Sequence, residues 1–205
     1  MISIINYGVG NLASVVNMIH KVGGRAQICH KPLDINHATK ILLPGVGAFD
    51  HGMQMLHDGG WLPFLNEAVL EKKVPVLGIC LGMQLMCNQS DEGCLPGLGW
   101  IKASVKRFEL THQSEYKIPH MGWNSVKIVR DNALISVENH EQRFYFTHSY
   151  HVICDEINDI IAHAKHGYDF TVAFNKENIF GVQFHPEKSH RFGMALIKQF
   201  SELPC

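Results

Sequence analysis

The chain has 205 residues, of which 46% are hydrophobic and 18% are charged, a balance typical of globular proteins and not of disordered or fibrous ones. Lysine and arginine number 18 against 19 aspartate and glutamate, so no nucleic-acid partner is expected. The uncharged stretches at 1–20 and 74–90 are broken by polar residues and glycine or proline, so neither is expected to cross a membrane. Six cysteines without a secretory signal predict reduced thiols and a cytoplasmic protein.

Short apolar runs alternate with helical patterns in the N-terminal half. Four strands are predicted there, at residues 2–5, 26–29, 41–43 and 74–79. Helices are predicted at 11–21, at 61–73 with Pro63 in the first turn, and at 81–86. This alternation predicts a mostly parallel central sheet with helices on both faces, whose ligands lie at the carboxyl ends of the strands.

The C-terminal half has closer turns and β-branched or aromatic runs, which predict antiparallel additions to the sheet. Seven strands are predicted, at 100–108, 125–129, 143–146, 151–154, 160–164, 171–174 and 179–184. A last helix is predicted at 191–203, with Ser189 as its cap. With no repeat, linker or low-complexity segment, residues 1–205 are expected to form a single α/β domain.

A candidate nucleophile, Cys80, lies between a predicted buried strand and a predicted helix. Gly78 and Gly82 flank it at two residues on either side, which lets the backbone turn sharply and lift one side chain above the sheet. At a helix N-terminus the free N–H groups favour the thiolate. Taken alone, the pentapeptide also fits a small buried cysteine.

A candidate acid–base pair, His185 and Glu187, lies near the C-terminus. Side chains two apart on an extended strand project to the same face, and Pro186 favours an extended His185. Glu187 can then orient the imidazole, and with Cys80 the three make a triad for acyl transfer. His-Pro-Glu alone would fit an ordinary turn, but the two motifs together favour the triad. The Leu81 N–H and the 44–47 loop are candidate oxyanion donors.

No cofactor or metal site is expected. The fourteen histidines are scattered along the chain, and neither His-x-x-x-His nor a Cys-x-x-Cys pair occurs. Gly8 and Gly10 follow the first strand, but the third glycine and the later acidic residue of a dinucleotide site are missing.

The sequence resembles the class I glutamine amidotransferases over essentially its whole length, and within them the glutaminase subunits of imidazole glycerol phosphate synthase. The elbow and His-Pro-Glu are shared by the superfamily, whereas Pro-Gly-Val-Gly and Pro-His-Met-Gly-Trp-Asn are specific to this branch. The similar stretches are 6–11, 43–49, 78–84, 119–124, 148–150 and 181–189.

The resemblance implies a role for each matching residue. Cys80 would be the nucleophile, His185 the general acid and base and Glu187 its orienting partner, with the Val46 amide as a gated oxyanion donor beside Leu81. Glutamine would be held by Gly47, Gln84, Ser149 and Tyr150. The implied partner is a (β/α)₈-barrel synthase that receives ammonia through a tunnel and closes an imidazole ring, contacted near Asn11, Trp123 and Lys188.

Three alternatives stay open. A paralogous branch with the same motifs serves surface-sugar biosynthesis, and residues 143–146 and 189–194 look at least as much like that branch. A stand-alone thiol hydrolase for γ-glutamyl bonds would use the same triad without a barrel, although a chain too short for a synthase domain favours the glutaminase subunit. A non-catalytic binding subunit is disfavoured by the intact triad.

Overall fold

A computed structural model describes residues 1–110, 115–135 and 142–204. The strands of these residues form one mixed sheet in the order β2-β1-β3-β4-β12-β11-β10-β7-β8, with β9 beside β11, β6 beside β9 and β5 beside β6. The first strands are β1 Ile2–Ile5, β2 Ala26–Cys29, β3 Ile41–Leu43, β4 Val76–Ile79, β5 Gln89–Ser90 and β6 Ala103–Arg107. The later strands are β7 His120–Ile128, β8 Gln142–His148, β9 Tyr150–Cys154, β10 Ile160–His166, β11 Tyr168–Lys176 and β12 Ile179–Val182.

Helices cover both faces of the parallel part of the sheet. They are α1 Leu12–Lys21, α2 Phe49–Asp58, α3 Trp61–Asn66, α4 Leu81–Leu85 and α5 His190–Glu202. Ile4 of β1 packs in a core with α1 and α5, whereas Ile5 faces the opposite core with α2, α3 and α4. Successive side chains of a strand point to opposite faces, so one short apolar strand contributes to two cores. The predicted α/β fold is confirmed.

The two halves of the chain meet at β12. This strand pairs in parallel with β4, opposing Val182 to Ile79, and antiparallel with β11. Strands β2, β1, β3, β4 and β12 are therefore parallel, and the strands beyond β12 are antiparallel additions, as predicted. The carboxyl ends of β4 and β12 lie side by side, which places Cys80 and His185 at the same edge of the sheet.

Several predicted elements differ in detail. The strand predicted at 74–79 begins at Val76, because the Val74 N–H donates to the carbonyl of Ala68 at the end of the preceding helix. The helix predicted at 61–73 changes after Asn66 into a π-helical turn at Glu67–Glu71. The strand predicted at 125–129 begins earlier, at His120, because it pairs with β8 along its whole length.

Two further differences concern helix starts. No element was predicted at Phe49–Asp58, where the structure has α2. The prediction that Ser189 caps the last helix is wrong for its side chain: Ser189 Oγ donates to the His185 carbonyl at 2.6 Å and accepts from the Tyr145 N–H at 3.0 Å. The hydroxyl fixes the backbone around His185 instead of the end of α5.

Candidate active site

Cys80 occupies a sharp strand-to-helix turn between β4 and α4. Its φ of 53° lies in the left-handed region that non-glycine residues rarely adopt, and its N–H donates to the Val182 carbonyl at 2.8 Å. A Cβ at Gly82 would collide with the Leu43 carbonyl oxygen, and one at Gly78 would lie 2.7 Å from the Gly82 carbonyl oxygen. The two glycines predicted to permit the turn are therefore required by the packing of the backbone.

His185 is held by Glu187 and by its own backbone neighbours. Nδ1 lies 2.8 Å from Glu187 Oε1, and the side chains are 1% and 5% exposed. The His185 N–H donates to the Tyr145 carbonyl at 2.9 Å, and Ser189 holds the His185 carbonyl. Nε2 is buried and has no hydrogen-bond partner among the described residues, so it is left to exchange a proton with Cys80.

The charge of this histidine follows from its neighbours. Burial acts to lower the pKa of His185, but the Cys80 thiol and the Glu187 carboxylate outweigh it and raise that pKa to about 10. The imidazole is therefore protonated at neutral pH. An imidazolium beside a cysteine favours the nucleophilic thiolate.

Two glutamines connect Cys80 to the opposite wall of the site. Gln183 Nε2 lies 3.7 Å from Cys80 Sγ, and Gln84 Nε2 donates to Gln183 Oε1 at 3.0 Å and to the Tyr150 carbonyl at 3.1 Å. Gln183 is fully buried and was not among the predicted site residues. A polar side chain inside the apolar run 179–184 is the sequence signal that could have found it.

A cavity of about 250 Å³ opens over Cys80 and His185. It is smaller than the roughly 300–1,000 Å³ of pockets for drug-sized ligands, which suits a small polar molecule. The predicted residues that line it are Val46, Gly47, Leu81, Gln84, Ser149 and Tyr150. Sequence reasoning missed Glu92, Thr147 and His148, which also line it. These three come from loops and strand ends with no motif of their own.

The two predicted oxyanion donors are not aimed at the cavity together. The Leu81 N–H donates to the Gly45 carbonyl at 3.3 Å. The Gly45–Val46 peptide is trans, so its N–H, that of Val46, points away from its carbonyl and from Leu81. The Pro44 carbonyl is held by the Tyr7 hydroxyl at 2.6 Å. Rotation of one peptide unit would thus free the Leu81 donor and bring in the Val46 donor.

The residues predicted at a partner interface lie on neighbouring exposed positions. Trp123 is 41% exposed and stacks on His190, with ring centroids 5.6 Å apart and an interplanar angle of 2°. Lys188 is exposed and lines a shallow cavity with His190 and with Ser14 of α1. Asn11 is exposed and its side chain accepts from the Ser14 N–H at 3.2 Å. We call Asn11, Trp123, Lys188 and His190 the Trp123 surface.

Metal-binding clusters and long apolar helices are both absent from the described part of the chain. Within 1–110, 115–135 and 142–204, no three His, Cys, Asp or Glu side chains are placed to hold a metal ion. No helix in those same ranges is long and apolar enough to span a bilayer.

Comparisons with known proteins agree with this geometry. The family model for class-I glutamine amidotransferases matches residues 3–202. The chain is 48% identical to imidazole glycerol phosphate synthase subunit HisH 2 of Pseudomonas aeruginosa, covering 99% of this chain and all of the relative. It is 50% identical to the protein of the same name from Methanococcus maripaludis, over 98% of each chain.

Solved structures share the fold at low sequence identity. A GMP synthase subunit of Thermoplasma acidophilum superposes with a TM-score of 0.72 at 18% identity, covering 98% of this chain and 91% of the other. PurLQS from Thermotoga maritima gives a TM-score of 0.70 at 14% identity, covering 97% and 94%.

Proposed function

The chain belongs to the class-I glutamine amidotransferase family, and from that premise we propose that it is the glutaminase subunit of an imidazole glycerol phosphate synthase. As a single domain over residues 1–205, it hydrolyses glutamine to glutamate and ammonia. A (β/α)₈-barrel subunit receives the ammonia and forms imidazole glycerol phosphate and AICAR for histidine biosynthesis. The observation that carries the proposal is the buried pairing of His185 with Glu187 beside Cys80, at the floor of a small polar cavity.

The proposed reaction proceeds through a thioester. The Cys80 thiolate attacks the side-chain carboxamide carbon of glutamine, and the protonated His185 Nε2 gives its proton to the departing nitrogen, which leaves as ammonia. The neutral imidazole then takes a proton from water, which attacks the thioester carbonyl. Glutamate leaves, and the thiolate and imidazolium are restored. Glu187 stabilises the imidazolium and holds its Nδ1 proton.

The Gly45–Val46 peptide is proposed to gate this reaction. With its carbonyl on the Leu81 N–H, the loop fills the position where an oxyanion would form. Gly47 has a φ of 108° and its α-carbon faces open space, so the loop can rotate on that side. Loss of one oxyanion donor costs roughly 3 kcal/mol, or about a hundredfold in rate. A free subunit would therefore waste little glutamine, and docking of the barrel would select the rotated peptide.

The proposed docking face is the Trp123 surface. An exposed aromatic side chain beside Lys188 and His190 is a composition enriched at protein interfaces. Lys188 follows Glu187 directly, so docking on its ammonium group reaches the carboxylate that holds His185. The synthase and its cytoplasmic location are part of the proposal.

The test is glutamate release by the purified chain with and without its barrel partner and acceptor. We expect stimulation of about a hundredfold, loss of activity in Cys80→Ser, and near-normal activity in Cys94→Ser, which alters an exposed thiol. Equal turnover with and without the barrel would contradict the gate and favour a stand-alone hydrolase. Activity retained by Cys80→Ser would contradict the nucleophile. Ammonia consumed only with a surface-sugar synthase would move the chain to that paralogous branch.

A further inference from the structure

Four histidines that are scattered in the sequence meet in one buried group beside the candidate active site. His120, His148, His151 and His166 belong to β7, β8, β9 and β10, and their rings surround Phe108. The centroids of the His120 and His166 rings are 4.3 Å apart, and those of Phe108 and His151 are 4.7 Å apart. We call these four residues the histidine cluster. The proposed hydrolysis assigns no step to it.

The proton on His148 can be located from its partners. Nδ1 lies 2.7 Å from the Tyr150 carbonyl oxygen, which only accepts, so Nδ1 carries a hydrogen. Burial holds the pKa of His148 well below its usual range, so the ring is neutral at pH 7. In a neutral imidazole the other nitrogen is an acceptor, so Nε2 accepts from whatever lies beside it.

The same reasoning assigns His120 and Asn124. His120 Nδ1 lies 3.0 Å from His148 Nε2 and must donate to it. Burial lowers the pKa of His120 to about 4, so its Nε2 is an acceptor and takes a hydrogen from Asn124 Nδ2 at 3.1 Å. The second hydrogen of that amide goes to the Lys165 carbonyl at 2.9 Å, and Asn124 Oδ1 accepts from the Ser125 N–H at 2.8 Å. The amide orientation is therefore determined.

The resulting chain ends at the wall of the cavity over Cys80. Every bond points the same way: Asn124 donates to His120, His120 to His148, and His148 to the Tyr150 carbonyl. That carbonyl also accepts from Gln84, which reaches Cys80 through Gln183. His148 and Tyr150 both line the cavity.

We propose that His120 and Asn124 are positioning residues that, through His148, hold the Ser149–Tyr150 wall against glutamine, and that the chain exists only while both imidazoles are neutral with the proton on Nδ1. The inference rests on the proposed function for the identity of the ligand. A proton added to His148 Nε2 would face the His120 Nδ1–H, so two donors would oppose each other and the chain would break.

The groups packed around the chain are also accounted for. His166 on β10 donates through Nε2 to the Lys117 carbonyl at 2.8 Å, and the Tyr116 ring packs against it. His151 on β9 bonds through Nε2 to the Tyr168 hydroxyl of β11 at 3.0 Å. These contacts leave the bonds of His120 and His148 to each other undisturbed.

A matched pair of variants tests the role of His120. The amide nitrogen of His120→Asn lies about where Nδ1 does and can still donate to His148, whereas that of His120→Gln lies about where Nε2 does. Both variants lose the ring, so both lose similar packing. With the barrel present, we expect the KM for glutamine to rise about tenfold in His120→Gln and under about threefold in His120→Asn, with kcat within about threefold. Asn124→Asp, which cannot donate to Nε2, should behave like His120→Gln.

A second measurement does not depend on catalysis. In the full-length wild-type chain at pH 7, ¹⁵N chemical shifts of the imidazoles should report Nδ1–H tautomers for both His120 and His148. An Nε2–H tautomer or a charged ring at either position would overturn the proposal, as would equal KM values for the two His120 variants. Absence of glutamine turnover in the wild-type complex would instead contradict the proposed function and leave the tautomer result standing.

Discussion

The molecule contains two buried histidine sites whose charges are opposite in sense. His185 faces a carboxylate and a thiol, which raise its pKa to about 10, so it is an imidazolium at neutral pH. His120 and His148 face an amide, a carbonyl and each other, and burial lowers their pKa values, so both are neutral. The side chain is the same in both sites. Burial acts to lower the pKa in each, and the presence of an anionic partner decides the outcome.

The contrast separates chemistry from positioning. A protonated ring with a free Nε2 can give and take a proton, which the proposed hydrolysis needs. A neutral ring with both nitrogens engaged cannot, but its fixed donor and acceptor define one orientation for its neighbours. Substitutions in the two sites are therefore expected to affect different kinetic constants.

The largest effect should come from removing the charged ring. His185→Ala takes away the proton carrier, and we expect kcat for glutamate release to fall by about four orders of magnitude or more. His57→Ala, which alters an exposed histidine, is the control and should retain wild-type kcat. If His185→Ala keeps more than about a tenth of the activity, the assignment of chemistry to this site is wrong.

A smaller loss is expected when the ring stays and its partner changes. Glu187→Gln keeps a hydrogen-bonding group at His185 Nδ1 but removes the charge that stabilises the imidazolium. We expect a loss in kcat about a hundredfold smaller than that of His185→Ala, measured in the same assay. Equal losses would mean that orienting the ring and carrying the proton cannot be separated here.

The next prediction asks whether the charged site extends to the Trp123 surface. Lys188 lies between Glu187 and the proposed partner, with its ammonium 5.6 Å from the centre of the Tyr145 ring. Lys188→Ala should reduce stimulation by the barrel about tenfold, as expected for loss of a desolvated ion pair. Lys198→Ala, which removes an exposed lysine of α5, is the matched control. Native affinity and stimulation in Lys188→Ala would identify Lys188 as an ordinary solvated lysine.

The smallest effect concerns stability against pH. The raised pKa of His185 stabilises the fold fully below its unfolded value near 6.5, and this stabilisation is lost as pH rises through about 10. The lowered pKa of His120 works the other way, because its contribution is complete above about 6.5 and is lost as pH falls through about 4.

Thermal unfolding between about pH 5 and pH 9 can measure both limbs. We expect Tm to fall by several degrees at each extreme relative to about pH 7. His120→Asn should flatten the acid limb only, and His185→Ala the alkaline limb only. An acid limb that is identical in His120→Asn and the wild type would show that His120 does not titrate in this way.

Predictability differed between local and non-local features. The elbow at Cys80 and the His185–Glu187 pair depend on residues within two positions of each other, so spacing was enough to place them. The histidine cluster was read as scattered because its members meet only through the register of β7 with β8, which opposes His120 to His148. That pairing brings together residues 28 apart, and the sequence contains no local sign of it.

Helix α2 was missed for a related reason. Its N-cap residue, Ala48, has no side chain that can accept from the first N–H groups, and Gly52 lies in its interior. The Phe49 N–H is instead satisfied by Glu92 Oε2 at 2.9 Å, 43 residues away. Ser189 illustrates the reverse error, since a residue with the right chemistry for a cap was used by the His185 backbone. A cap can be supplied, or taken away, by tertiary structure.

The position of β12 between the two halves also sets the order in which function can appear during folding. Cys80 and Gln183 are 103 residues apart in the chain and come together only when β12 pairs with β4. Contacts of such high sequence separation form late, since the loop between them must be closed first. A nascent chain that has completed its first four strands holds the thiol but not the histidine that would activate it. Hydrolysis can therefore begin only after the last strand of the sheet has been inserted.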